Sequence, residues 1–154
     1  MLKKILLLIL ILSTTSCGYE TRYSKKNKVS YNFSINEINF EGDRDINLKI
    51  KEKLNNYTTS KQKRNFTLKV NSNSKKIVLV KNVKGDPVSF KSIATINVEI
   101  LDKNKIRNTF KVEETFNYNN DNNKFNLTKY EKEIKNNLAE TATNKLIFRL
   151  SSIQ

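Results

Sequence analysis

Cys17 is the only thiol in this chain of 154 residues, and no histidine accompanies it. A zinc site lacks ligands on that composition, and a Cys–His nucleophile lacks its base. The other conspicuous pair is Glu113–Glu114. Neighbouring residues of a strand point to opposite faces, so these carboxylates cannot converge on one substrate, and they read as a solvated pair on an edge strand. No Gly-rich phosphate loop, G-x-S-x-G elbow or helix-borne metal motif occurs. The Asn-x-Ser/Thr triplets at Asn32, Asn56, Asn65 and Asn126 are what an Asn-rich composition produces by chance. Nothing here requires a cofactor, and the expectation is a protein that is not an enzyme.

Cys17 draws its meaning from what precedes it. Lys3 and Lys4 open the chain, Ile5 to Leu12 are apolar throughout, and Ser13-Thr14-Thr15-Ser16 leads into the cysteine. An apolar run of that length reaches only about 12 Å as a helix, against roughly 30 Å of hydrocarbon, so it cannot span a bilayer. A basic start, a short apolar core and small residues before a processing point make a secretory signal. A lone cysteine in an exported chain can be a free thiol or an intermolecular partner. Directly after small residues, Cys17 resembles the bacterial lipobox, in which the thiol is acylated and the peptide is cut before it. Thr14 departs from the leucine usual there. The expected organisation is a signal peptide over residues 1–16, an acylated tether over 17–28 and one domain over 29–154. Two or more acyl chains, at about 0.8 kcal/mol per buried CH₂, give stable anchoring.

The net charge is +14, of which Lys3 and Lys4 contribute two. Such a balance suits an anionic partner: nucleic acid, phospholipid headgroups or a phosphorylated glycolipid. Export and the lack of a recognition motif argue against nucleic acid. A single cysteine leaves no internal disulfide, so packing must supply the stability.

The elements that would carry these groups follow from periodicity. Val29 to Phe40 alternates as a strand, with Val29, Tyr31, Phe33 and Ile35 on one face; Ile38 and Phe40 then fall out of phase, which predicts a bulge near Asn36-Glu37. Gly42-Asp43 ends that strand and can cap a helix over Asp45 to Tyr57, striped by Ile46, Ile50, Leu54 and Tyr57. Phe66, Leu68 and Val70 begin a second strand, which continues through Ile77 to Val80 with an interruption at the polar stretch between them. After a Gly85-Asp86-Pro87 turn, Ile93 to Leu101 is a third strand with Ala94, Ile96, Val98 and Ile100 on one face. Asp102 to Lys105 is a four-residue hairpin loop, and Ile106 to Tyr118 is the fourth strand. Asn117 to Asn126 reads as a loop, followed by a capping box at Thr128–Glu131. Ile134, Leu138, Ala142, Leu146 and Leu150, broadened by Ala139, Ile147 and Ile153, mark a long final helix.

This pattern resembles the lipopolysaccharide-assembly lipoprotein family LptE, especially its alphaproteobacterial members. The resemblance rests on Cys17-Gly18-Tyr19, on Asp43-Arg44 leading into the Leu48–Leu54 helix, and on Ala94 to Val98 with Ile100-Leu101-Asp102. Phe116-Asn117-Tyr118 and Leu138-Ala139 complete it. It implies an α+β fold, a four-stranded sheet with two helices packed on one face, in the order β-α-β-β-β-α. It further implies a Gram-negative outer-membrane lipoprotein, anchored on the periplasmic face through acylated (palmitate-type) Cys17. Such a protein plugs and helps assemble the LptD β-barrel and takes part in lipopolysaccharide transport to the outer leaflet. Lipid A phosphates need cations. Lys81, Lys84 and Lys91 around the Gly85 turn are the first candidates for lipopolysaccharide binding, with Lys103, Lys105 and Arg107 at the hairpin loop next. Two other readings stay open: a periplasm-facing lipoprotein with a different envelope partner, and a basic module for anionic phospholipid.

Overall fold

A computed structural model describes residues 33–58, 62, 64–102 and 105–153. The signal segment, Cys17, the tether, Val29, Tyr31 and Lys103 lie outside the described residues. The elements are β1 (Phe33–Gly42), α1 (Arg44–Thr58), β2 (Arg64–Lys81), β3 (Pro87–Asp102), β4 (Lys105–Asn119) and α2 (Lys124–Ser152). They form an α+β fold in the expected succession. The sheet order is β1-β2-β3-β4. β1 runs parallel to β2, because α1 carries the chain back across the sheet, and the other two pairings are antiparallel.

Each apolar stripe ends on the same side of the sheet. Ile46, Ile50 and Leu54 of α1 are fully buried, as are Leu68 and Val70 of β2 and Ile96 of β3. Ile134, Leu138, Ala142, Leu146 and Leu150 of α2 are buried with them, and Leu127 extends that stripe two turns further towards the N-terminus. At roughly 1.5–3 kcal/mol for each large aliphatic side chain, this single layer between helices and sheet is the main stabilising term. The bulge falls where the phase slip placed it: Ile35 pairs with Phe66 and Glu37 with Thr67, so Asn36 has no partner residue. Ile38 and Phe40 thereby return to the helix side, half-buried against the core.

The turn from β1 into α1 is tightly specified. Gly42 has φ +91°, and a Cβ there would meet the Ser72 carbonyl oxygen at 1.9 Å. Asp43 caps α1, accepting from the Asp45 N–H at 3.0 Å and the Ile46 N–H at 3.2 Å.

Several boundaries differ from the sequence reading. The ladder between β2 and β3 is continuous across Asn71–Lys76, and its irregularities come later, between Val78 and Lys81. Ser72 and Ser74 keep the core-side phase: Ser72 Oγ bonds the Asp43 carbonyl and Asn47 Oδ1, and Ser74 Oγ donates to Asp43 Oδ2. β3 starts at Pro87, six residues before Ile93. Asp102 and Lys105 pair with each other, so the β3–β4 connection is shorter than a four-residue loop. The capping box at Thr128 does not form. Asn123 caps α2 instead, its side chain accepting from the Phe125 and Asn126 N–H groups, while Thr128 Oγ1 donates to the Lys124 carbonyl inside the helix. Glu131 is occupied elsewhere, by Lys76 and by the Tyr118 hydroxyl.

Candidate functional site

The outer half of the β2–β3 hairpin is the region where apolar surface and unpaired cations meet. Alternation would bury half of Ile77–Val80, but α1 does not extend over this end. Val78 is 39%, Leu79 43%, Val80 53% and Val88 43% exposed, and Val83 at the apex is completely exposed. On the helix side Phe90 is still buried, with the Lys76 ammonium 3.9 Å from its ring centroid and Tyr118 beside it, and the exposed stretch lies beyond it. A cleft of about 790 Å³ opens at this end, lined by Leu79, Ser89, Asn117, Tyr118 and Tyr130 together with the β4–α2 loop.

The turn itself is built on Asn82. Its N–H donates to the Asp86 carbonyl at 2.9 Å, and its carbonyl accepts from the Gly85 N–H at 3.0 Å. Its side-chain oxygen accepts from the Lys84 and Asp86 N–H groups, both at 2.9 Å, and its amide donates to Asp86 Oδ2 at 3.2 Å. Gly85 takes φ +86°, open to solvent. The tip is therefore a fixed turn that satisfies much of its own polar chemistry and aims Val83 outwards.

The candidate cations divide into two groups. Lys81 and Lys84 sit at the tip, and Lys91 lies further along β3 on the uncovered face, opposite Ile77 and Asn117. Lys105 and Arg107 are exposed at the start of β4, the opposite end of the sheet. β3 has 16 residues, about 50 Å of strand, so one ligand headgroup cannot touch both groups.

Register adds a residue that periodicity did not single out. Lys75 pairs with Ile93 and Lys91 with Ile77, which makes Lys75 and Lys91 diagonal neighbours on the uncovered face. Both occupy the odd-numbered phase of their strands, a signal present in the sequence but useless until the pairing is known. Other lysines on this face are neutralised, Lys69 by Glu41 at 3.4 Å and Lys111 by Glu113 at 2.5 Å. Hydrogen bonding and charge from Lys111 hold Glu113 below the usual carboxylate range, with Lys91 adding to the effect. Lys75, Lys81, Lys84 and Lys91 have no carboxylate within salt-bridge distance among the described residues. Glu113 and Glu114 do face opposite ways, but only Glu113 is solvated as expected: Glu114 is largely covered by α2, 2.5 Å from Lys145 Nζ as an ion pair without hydrogen-bond alignment.

Beneath this end, a polar seam ties the hairpin to the helices. Lys135 Nζ lies 2.8 Å from Asp43 and 2.9 Å from Asp45, and Ser74 completes the surroundings of Asp43. Burial alone would raise the Asp43 carboxyl, but hydrogen bonds from Lys135, Ser74 and the Ile46 N–H hold it below its ordinary value. For Lys135, burial works downward and the two aspartates prevail, raising it. Burial, then the hydrogen bond and negative charge of Glu131, push the Tyr118 hydroxyl up. Among the described residues no group of His, Cys, Asp and Glu could hold a metal ion. None of the described helices is long and apolar enough to cross a membrane.

The chain matches no protein-family profile, and no curated protein shows sequence similarity to it. Solved structures do resemble it. Rare lipoprotein B from Shewanella oneidensis superposes with a TM-score of 0.60 at 13% identity, over 76% of this chain and 95% of that one. A minor lipoprotein from Acinetobacter baumannii gives 0.58 at 16% identity, over 79% and 92%. Lipoprotein B from Nitrosomonas europaea gives 0.57 at 11% identity, over 83% and 90%. The four-stranded sheet with two helices on one face is thus a fold that this chain shares with bacterial lipoproteins, across nearly their whole solved length.

Proposed function

We propose that this chain is an outer-membrane lipoprotein, acylated at Cys17, that plugs the LptD β-barrel, assists its assembly and helps deliver lipopolysaccharide to the outer leaflet. It acts as a binding and assembly subunit, not an enzyme. The observation that carries the reading is the fold shared with lipoproteins in a chain whose one cysteine follows a secretory signal. The uncovered sheet face adds support. It presents Asn71, Asn73, Thr95, Asn97, Lys111 and Glu113, a hydrophilic surface of the kind a polar barrel lumen accommodates. The hairpin end supplies what an anionic amphiphile requires: the unpaired Lys81, Lys84, Lys91 and Lys75 for phosphates, and exposed valines and Leu79 for acyl surface. Lys105 and Arg107, far from that end, belong to a separate contact.

The test is co-purification. Tagged full-length protein and its Cys17→Ala variant are expressed in a Gram-negative host, and the outer membrane is extracted gently. The reading expects the wild-type chain to recover an LptD-sized barrel identified by mass spectrometry. Lipidated protein recovered from the outer membrane without the barrel would overturn it in favour of another envelope partner.

A further inference from the structure

We infer that the β2–β3 hairpin tip is a membrane-inserting element: Val83, flanked by Lys81 and Lys84, enters the headgroup–acyl boundary of an anionic phospholipid bilayer. The inference goes beyond the barrel reading and does not depend on it. Three observations converge. Val83 stands at the apex with its whole surface exposed, and Val80 and Val88 continue that apolar surface behind it. An apolar side chain so placed in a loop tip gains by leaving water.

Second, the turn lowers the penalty that keeps most loops out of lipid, because several of its backbone N–H groups already have partners within the turn. Asn82 takes up the Lys84, Gly85 and Asp86 N–H groups, two with its side chain and one with its carbonyl, and restrains the Asp86 carboxylate. The tip would therefore enter without first exchanging those bonds with water. Third, the charge is complementary to an anionic surface. Lys81 and Lys84 have no carboxylate within salt-bridge distance among the described residues, and long lysine stems can lie along the apolar tip with their ammonium groups at the phosphate level. The Asn82 bonds close the turn around Val83 and Lys84, and Lys81 is held at the end of β2 by its pairing with Pro87, so little backbone ordering accompanies insertion.

The experiment uses full-length chain carrying Cys17→Ala and Val83→Cys, labelled with NBD and mixed with vesicles of phosphatidylcholine and phosphatidylglycerol. A label at Asn97→Cys, on the uncovered face, is the reference; both sites are exposed, so folding is preserved. Insertion predicts blue-shifted emission at position 83, quenching by spin labels on the acyl chains and protection from iodide, with position 97 remaining open to iodide. Adding Lys81→Glu and Lys84→Glu should weaken insertion by about tenfold or more, at roughly one kcal/mol per cation near a charged surface. A position-83 label open to iodide in these vesicles would overturn the inference. So would insertion unchanged by the charge reversal. Insertion only when the vesicles contain lipopolysaccharide would overturn it too, and would return the tip to the glycolipid.

Discussion

The two halves of β2 carry similar apolar runs and meet opposite fates. Phe66, Leu68 and Val70 lie under α1 and are 7%, 0% and 0% exposed; Val78, Leu79 and Val80 are 39%, 43% and 53% exposed on the same strand. By pattern the unbroken outer run, Ile77 to Val80, should be at least as buried as the alternating inner one. What differs is the helix: Ile46, Ile50 and Leu54 seat α1 over the inner half, while its start at Asp43 lies beside Ser72 and Ser74 and leaves the outer half uncovered. An apolar run becomes core only where another element can reach it, and the residue that positions that element counts as much as the run.

The largest effect should come from the inner half. Leu68→Ala should lower unfolding free energy by about 3 kcal/mol through lost burial and a residual cavity, measured by urea denaturation. Val80→Ala should change it by less than about 0.5 kcal/mol. Equal losses at both positions would mean that the outer half is covered in solution.

The two left-handed glycines sharpen the contrast. Gly42→Ala combines a positive φ with a Cβ driven against the Ser72 carbonyl, and should cost about 2–3 kcal/mol. Gly85→Ala has a similar φ but open space, so about 1 kcal/mol is expected. Thermal unfolding of both variants ranks them.

Asp43→Ala should cost about 2 kcal/mol, from the lost helix cap and the Lys135 ion pair. Asp43→Asn keeps a cap and should cost less. The folded-state value of Asp43 is depressed, so its contribution is complete above the ordinary carboxylate range and disappears as pH falls through that depressed value. The gap between wild type and Asp43→Asn should therefore be constant near neutrality and close in strong acid. Lys135 acts in the opposite sense, its contribution being present below the ordinary lysine value and lost as pH rises through the raised one. Denaturation series across pH test both signs.

Much of the scaffold was legible because its signals are local. The stripes of α1 and α2 and the face of β3 are fixed by spacing, and even the bulge at Asn36 followed from a one-residue slip in phase. The start of α2 was not legible, since Asn123 stands in a tract where almost every residue could cap a helix, and only the fold decides which one does. The site was less legible than the scaffold. Lys81, Lys84 and Lys91 lie towards one end of the sheet and the second-ranked Lys105 and Arg107 at the other, a separation that the length of β3 sets and composition does not show. Lys75 joins Lys91 only through cross-strand register, a non-local property.

The parallel pairing of β1 has a kinetic consequence. β2, β3 and β4 are joined by short turns and can zip in sequence, whereas β1 cannot align with β2 until the whole of α1 has crossed between them. During that interval the edge of β2 from Arg64 to Ser72 is an open template for strands of other molecules. The meander should thus form first and β1 should close last. Val98→Ala, within the meander, should slow refolding, while Phe33→Ala, in β1, should chiefly accelerate unfolding; stopped-flow kinetics showing the reverse would place β1 in the folding nucleus. On this order, docking of the N-terminal strand both completes the sheet and ends the period in which the chain is most prone to self-association.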